Sequence, residues 1–349
     1  MITRVLEVDA AYPEAEFITQ AASVIRQGRL VAFPTETVYG LGANALNTSA
    51  VERVFTVKGR PAQDPLIVHL ASADLLPLVV RSVPPIVAKL AGSFWPGPLT
   101  LILPKMRAVP SSVTAGLETV AVRAPNHPVA SALLQEVSVP VAAPSANRFG
   151  HTSPTTAKHV LDDLCSRVDL ILDGGPTTVG VESTVLDVTR TPPMILRPGG
   201  LPREALEKLI GPVAVRSKTQ STPGPQSSPG LLAKHYAPSA QLILCLGPPA
   251  AALEKIIELA HLNHTEGRRV GLLLAEEDRP CFNDLPVRIF SLGSADDLAQ
   301  IARNLFAGLR ALDEQRVDVI LGRDFGERGL GLAIRDRLQR AASQVILAS

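Results

Sequence analysis

The chain has almost no excess charge of either sign: 34 Lys and Arg face 33 Asp and Glu over 349 residues, a formal net charge of +1. Its first 212 residues carry 18 basic and 18 acidic side chains. That balance leaves no broad cationic face of the kind nucleic-acid binders use, so any RNA contact is weak and local. Cysteine is scarce. Cys165, Cys245 and Cys281 match no zinc spacing and leave one thiol unpaired in any disulfide scheme, which favours a reducing compartment. Residues 1–20 include Glu7, Asp9, Glu14 and Glu16 and lack the apolar core of a signal peptide. No run reaches the roughly 18 to 20 apolar residues of a membrane span. A cytoplasmic protein with no membrane contact is expected. There is no G-x-x-x-x-G-K-[ST] loop, which excludes nucleotide binding by that route, and no His, Cys and Glu cluster with metal spacing.

What is present is core material: 46% of residues are apolar and 19% charged. The length suggests two domains. Phe17, Ile18, Ala21, Ala22 and Ile25 repeat at helical spacing before Gly28, and Leu30 to Phe33 then reads as a buried strand. Ser49 to Glu52 has a capping-box pattern that opens a second helix, closed by Gly59 and Pro61. Short apolar runs follow at 66–68, 99–103, 120–122, 139–142, 170–172, 184–186 and 195–196, with helical patterns between several of them. The expectation is an α/β domain over 1–212, built on one large twisted open sheet with flanking helices. Between 213 and 239 the chain turns to Ser, Thr, Pro, Gly and Gln, with Arg216, Lys218 and Lys234 but no acid, and reads as a linker and active-site lid. Beyond it, strands at 242–246, 270–274, 287–290 and 317–321 with helices near 250–261, 296–312 and 330–343 give a smaller Rossmann-like α/β domain over 240–349.

Several strand ends carry polar groups suited to an anion. Pro34 to Gly42 directly follows a strand, where open α/β sheets place ligand loops, and it combines hydroxyls, a glutamate and a tyrosine. Lys58 and Arg60 form a cation pair: the lysine supplies a point charge and the arginine a planar fork, a combination that suits a triphosphate. The competing explanation is that cations are favoured at a helix C-terminus. His69 ends a strand, a position more often structural than catalytic. Pro144 to Pro154 is a second hydroxyl-rich stretch leading into a helix, the ingredients of an anion cradle or of a long capped loop. Glu182-Ser183-Thr184 and Arg197-Pro198-Gly199-Gly200 add a hydroxyl and a cation.

Taken in order, the motifs PTETVYGLGANA at 34–45, KGRP…PLIVH at 58–69, AVRAPNHP at 121–128, PSAN…SPT at 144–155, ESTV at 182–185 and LRPGG at 196–200 resemble the YrdC-like threonylcarbamoyl-adenylate synthases. Ser228-Pro229-Gly230…His235-Tyr236-Ala237-Pro238 and Gly329 to Ile334 resemble the long form with a C-terminal domain. The resemblance implies a nucleotidyltransferase that joins L-threonine, bicarbonate and ATP into threonylcarbamoyl-AMP and pyrophosphate, with Mg²⁺ on the phosphates. It further implies hand-off to a threonylcarbamoyl transferase acting on tRNA. Thr37, His69, Arg123, Ser183 and the backbone at Ala143 fall where the family holds threonine. Arg60, Asp64, Thr119, Ser145, Ser153, Arg197, His235 and Tyr236 fall at the ATP positions, and Lys58 with Arg60 at the catalytic ones. Asp64 stands where the family has Asn. The alternative reading is an RNA-binding, or an ATP- or threonine-binding, regulatory protein of the same fold. A carbamoyl-adenylate chemistry is disfavoured because no zinc-finger cysteines are present.

Overall fold

The computed structural model describes residues 2–216, 226, 228 and 236–348. Most of the expected linker, with Lys218, Lys234 and His235, lies outside the described residues. The chain divides into two compact units, Met1–Phe149 with Ser153–Ala233 and Gly150–Thr152 with Lys234–Ser349. Among the described residues no helix is long and apolar enough to cross a membrane.

In the first unit the strands are β1 (Arg4–Glu7), β2 (Val31–Phe33), β3 (Gly40–Asn44), β4 (Ile67–His69), β5 (Leu99–Pro104), β6 (Thr119–Arg123), β7 (Val141–Ala142), β8 (Leu170–Asp173), β9 (Thr184–Asp187), β10 (Met194–Arg197) and β11 (Ala214–Val215). They form one mixed sheet in the order β1-β8-β2-β3-β7-β4-β6-β5-β9-β10-β11. The helices are α1 (Ala15–Arg26), α2 (Thr48–Lys58), α3 (Pro85–Phe94), α4 (Ser111–Thr114), α5 (Pro128–Val137), α6 (Ala157–Leu164) and α7 (Arg203–Ile210). Two large clusters, with a smaller one of Ile67, Ile102, Ala121, Val185 and Leu196, fill the layers on the sheet. One holds Leu41, Val54, Val68, Leu101 and Val122, and the other Ile25, Phe33, Leu133 and Leu172. Val31 and Phe33 alternate with Leu30 and Ala32 between the two clusters, so β2 is buried on both faces and reads as an unbroken apolar run.

The apolar spacing of α1 is realised: Ile18, Ala21, Ala22 and Ile25 are its buried residues. Two local expectations are corrected. Helix α2 starts at Thr48 and is capped by Asn47, whose side chain accepts from the Ala50 N–H at 3.1 Å, so the Ser49 box does not form. Residues 40–44 form a strand where a loop was expected, antiparallel to β2. Their glycines hid it, since glycine is a poor strand former. The reason for one of them is contact: a Cβ at Gly42 would lie 2.8 Å from the Phe33 ring and 3.0 Å from Val141. Three edge strands also escaped the pattern. In β1 the side chains are mostly exposed, and pairing rests on backbone register with β8.

The second unit has strands β12 (Gln241–Leu246), β13 (Val270–Leu274), β14 (Arg288–Ser291), β15 (Val319–Arg323) and β16 (Gln344–Leu347), ordered β14-β13-β15-β12-β16 and all parallel. Helices α8 (Pro249–Thr265), α9 (Leu298–Glu314) and α10 (Gly331–Ala341) connect them. Ala252, Ile256 and Ala260 of α8 pack on Ile243, Cys245, Leu272 and Leu321. The chain reverses direction across the sheet after β14, so right-handed crossovers put α9 and α10 on the opposite face, where they meet each other. This is the Rossmann-like layering expected for the region.

Because Phe33 is fully buried, Gly42→Ala forces the ring or β7 to shift. It should lower the stability of the first unit by about 1 to 3 kcal/mol. The chain's one tryptophan, Trp95, lies in that unit and bonds the Leu99 carbonyl through its indole N–H at 2.7 Å. Its emission in a urea titration reads the loss, and an unchanged midpoint would contradict the packing described.

Candidate active site

The loops after β2, β4 and α2, with those between β7 and α6 and around β9 and β10, carry the polar groups of the first unit. Four basic side chains there are buried: Lys58, Arg60, Arg123 and Arg197. Exposure of a cation to a dry interior is expensive unless oxygens surround it. The partners of each therefore define the site.

Lys58 is the last residue of α2, and Gly59 follows in the left-handed conformation (φ 63°) that ends the helix. The Lys58 ammonium turns inward and donates to the carbonyls of Ser145 and Asn147, each at 2.5 Å, and to Asn147 Oδ1 at 3.3 Å. It thereby ties α2 to the 144–147 loop. Burial, and secondarily the Arg60 charge, pull its pKa well below the ordinary lysine value. The Arg60 guanidinium donates to the carbonyls of Asp64 (3.0 Å) and Pro65 (2.8 Å) and pairs with the Asp64 carboxylate at 2.9 Å. The carboxylate at 64 thus gives Arg60 a buried ionic partner.

Strand register builds the second cluster. His69 and Arg123 are paired residues of the parallel strands β4 and β6. Arg123 donates through Nη2 to Glu36 Oε2 at 2.7 Å and through Nη1 to Thr37 Oγ1 at 3.0 Å. Thr35 and Thr37 share a hydroxyl bond of 2.8 Å, and Thr35 Oγ1 donates to the Val38 carbonyl at 2.6 Å, which curls the 35–38 loop on itself. Burial lowers Arg123 from the ordinary arginine value, while the Glu36 carboxylate opposes this. His69 is pushed down to about 3 by burial and then by the Arg123 charge, so its ring is neutral at physiological pH. Its Nδ1 lies 3.2 Å from the Ile67 carbonyl. Ala143 is buried, and its N–H donates to that same carbonyl at 2.9 Å.

Around β9 and β10, the Ser183 hydroxyl lies 2.8 Å from Thr100 Oγ1 and 3.2 Å from Arg197 Nη2, which also donates to the Ser183 carbonyl at 3.0 Å. Ser153 is buried and donates to Glu182 Oε1 at 2.5 Å. Ser145 bridges to Gly40, and the Tyr39 N–H reaches the Pro154 carbonyl at 2.9 Å, so the 34–42 and 144–154 segments are joined. Thr119 sits at the start of β6 opposite Pro104 and is half-buried. Tyr236 is placed in the second unit: its ring lies 5.5 Å from Phe306, with the Arg337 guanidinium 5.2 Å from its centroid. Sequence reasoning did not assign Glu36, Asn147, Thr100 or Glu182; Glu36, Asn147 and Glu182 sit within motifs it singled out, and Thr100 lies in the apolar run 99–103. Their partners come from distant strands. The described residues contain no group of three or more His, Cys, Asp or Glu able to hold a metal ion.

Among the described residues such a site offers fixed hydroxyls and cations. It is suited to binding anions and stabilising charge on them. Residues 23–199 match the family model described as telomere recombination (Sua5, YciO, YrdC), and 201–343 match the one described as threonylcarbamoyl-AMP synthase, C-terminal domain. A threonylcarbamoyl-AMP synthase of Pyrococcus abyssi is 48% identical over 94% of this chain and 94% of its own. One from Bacillus subtilis is 47% identical over 93% and 92%. The crystal structure of Pyrococcus abyssi Sua5 complexed with L-threonine superposes with a TM-score of 0.94 at 46% identity, covering 99% of this chain and 100% of that one.

The low pKa of His69 gives a test. Between pH 6.5 and 3 the unfolded histidine binds a proton that the folded one refuses, so stability is full above about 6.5 and falls as pH drops toward 3. From about pH 7.5 to about pH 5 this one group should remove about 2 kcal/mol. Urea unfolding at the two pH values should show a shallower pH dependence in His69→Gln by about that amount. An equal slope in both proteins would contradict a neutral, buried His69.

Proposed function

We propose, from the fact that the chain belongs to the threonylcarbamoyl-AMP synthase family in its long two-domain form, how its first unit carries out that synthesis. The chain makes threonylcarbamoyl-AMP and pyrophosphate from L-threonine, bicarbonate and ATP, for the threonylcarbamoyladenosine modification of tRNA. The threonine amine and bicarbonate condense to a carbamate with loss of water. A carbamate oxygen then attacks the α-phosphorus of ATP, and pyrophosphate leaves.

The observation that carries this reading is the burial of four cations on the motif segments, each surrounded by oxygens and hydroxyls. Thr37, His69, Arg123, Ser183 and the Ala143 carbonyl hold threonine and its carbamate. Arg60, Asp64, Thr119, Ser145, Ser153 and Arg197 hold ATP. Lys58 acts on the phosphates through its charge and by fixing the loop that carries Ser145. A reaction of this type needs alignment of two reactants and charge stabilisation, not a protein nucleophile. Mg²⁺ accompanying ATP would supply charge neutralisation on the phosphates. Of the carboxylates within the nucleotide-binding segments, Glu182 could receive its outer waters, whereas Asp64 is fully buried against Arg60. Free thiols at Cys165, Cys245 and Cys281 support a cytoplasmic location, and the product's reactivity supports direct hand-off to a threonylcarbamoyl transferase. RNA contact is at most weak, given the near-neutral charge.

Pyrophosphate release measured with ATP, Mg²⁺, bicarbonate and L-threonine, omitting each in turn, tests the reading. Release should require both threonine and bicarbonate, and Lys58→Ala and Arg60→Ala should each lower turnover by about 100-fold or more. Release without threonine would point to carbamoyl-adenylate chemistry. No release under any condition would leave a binding protein.

A further inference from the structure

We infer that Arg310, on α9 of the second unit, is a positioning residue for ATP: by holding the Thr152 carbonyl it sets the neighbouring Ser153 of the nucleotide-binding segment. The inference rests on the proposal that Ser145 and Ser153 hold ATP, and it gives the second unit a part in the reaction.

The segment from Ser145 to Pro154 is secured along its length, and the holders change on the way. Lys58 takes its first part: the ammonium bonds the carbonyls of Ser145 and Asn147, and the Lys58 carbonyl accepts from the Phe149 N–H at 2.8 Å. At the far end Ser153 donates to Glu182 Oε1, and the Pro154 carbonyl accepts from the Tyr39 N–H. Between these, Gly150, His151 and Thr152 belong to the second unit, although the residues on either side belong to the first.

Those three residues are tied down by side chains and backbone of their own unit. His151 forms a parallel bridge with Ala237, whose N–H donates to the Gly150 carbonyl at 2.8 Å. Thr152 Oγ1 donates to the Tyr236 carbonyl at 3.5 Å, and Arg310 Nη2 donates to the Thr152 carbonyl at 2.5 Å. Arg310 follows Phe306 by four residues on α9, so one face of that helix carries both the ring packed on Tyr236 and the donor to Thr152. Tyr236 has φ 65°, a left-handed conformation that a bulky residue keeps only where its surroundings hold it. Phe306 and the Arg337 guanidinium at its ring supply that hold.

The Thr152 carbonyl and the Ser153 N–H lie in one planar peptide unit. A guanidinium on that carbonyl makes a charge-assisted bond, stronger than a neutral one, and so fixes the plane from which the Ser153 side chain departs. Without it the plane can turn about its flanking dihedrals, and the Ser153 hydroxyl loses its aim. Thr37, His69 and Arg123 are set by other loops and strands, so threonine binding should not follow.

Initial rates of pyrophosphate release by the full-length protein test this. In Arg310→Ala the KM for ATP should rise about tenfold, the weight of one hydrogen bond to a charged group, while the KM for L-threonine and kcat stay as they are. Arg303→Ala, which removes an exposed arginine of the same helix, should change none of the three. An unchanged KM for ATP in Arg310→Ala overturns the inference, and so does an equal rise for ATP and threonine, the mark of a merely loosened fold. Should Arg310→Ala fail to fold, amide exchange on the unaltered protein decides. Coupling between binding events is reciprocal, so ATP should slow exchange of the Ala237 N–H, and an unchanged rate overturns the inference. An unaltered protein that releases no pyrophosphate from ATP would bring down the nucleotide reading of Ser153, and the role of Arg310 with it.

Discussion

Burying four basic side chains in one α/β unit is the constraint on which the rest of the structure depends. Each of Lys58, Arg60, Arg123 and Arg197 is removed from water and must be repaid in oxygens. Two solutions appear. Lys58 is held by carbonyls and an amide oxygen, and Arg197 bonds the carbonyl and hydroxyl of Ser183. Arg60 and Arg123 instead face Asp64 and Glu36.

The mixed sheet makes this arrangement possible. The parallel pairing of β4 with β6 sets His69 beside Arg123, and the antiparallel β2 and β3 present the 34–39 loop between them. Short bonds then cross-link the loops: Lys58 to 145 and 147, Glu36 to 178 and 179, Ser153 to Glu182. Donors locked before substrate arrives need no reorganisation during the reaction, which is how a site without a nucleophile lowers a barrier.

Much of this was legible in the sequence where a single local rule dominates. The periodicity of α1 and the apolar runs of the buried strands report burial directly, and the ordered motifs placed the site on strand ends. What was not legible depends on distant partners. Gly40 to Asn44 carries loop-like residues, and only the Phe33 ring against Gly42 explains them as a strand. Asn47 outcompeted Ser49 as cap because its side chain reaches the Ala50 N–H. A cation at the end of α2 is ordinary, and nothing local says that the Lys58 ammonium turns inward to a loop nearly 90 residues away. Glu36 lies inside a recognised motif, but its partner, the Arg123 guanidinium on β6, is far away in the sequence.

The most direct test of the account is to follow the carbon. Full-length protein incubated with ATP, Mg²⁺, L-threonine and carbon-13 bicarbonate, then examined by mass spectrometry, should yield an adenylate containing threonine and one labelled carbon, in step with pyrophosphate release. Pyrophosphate released without a labelled threonine adenylate would contradict the claim that one set of buried cations and hydroxyls aligns all three substrates.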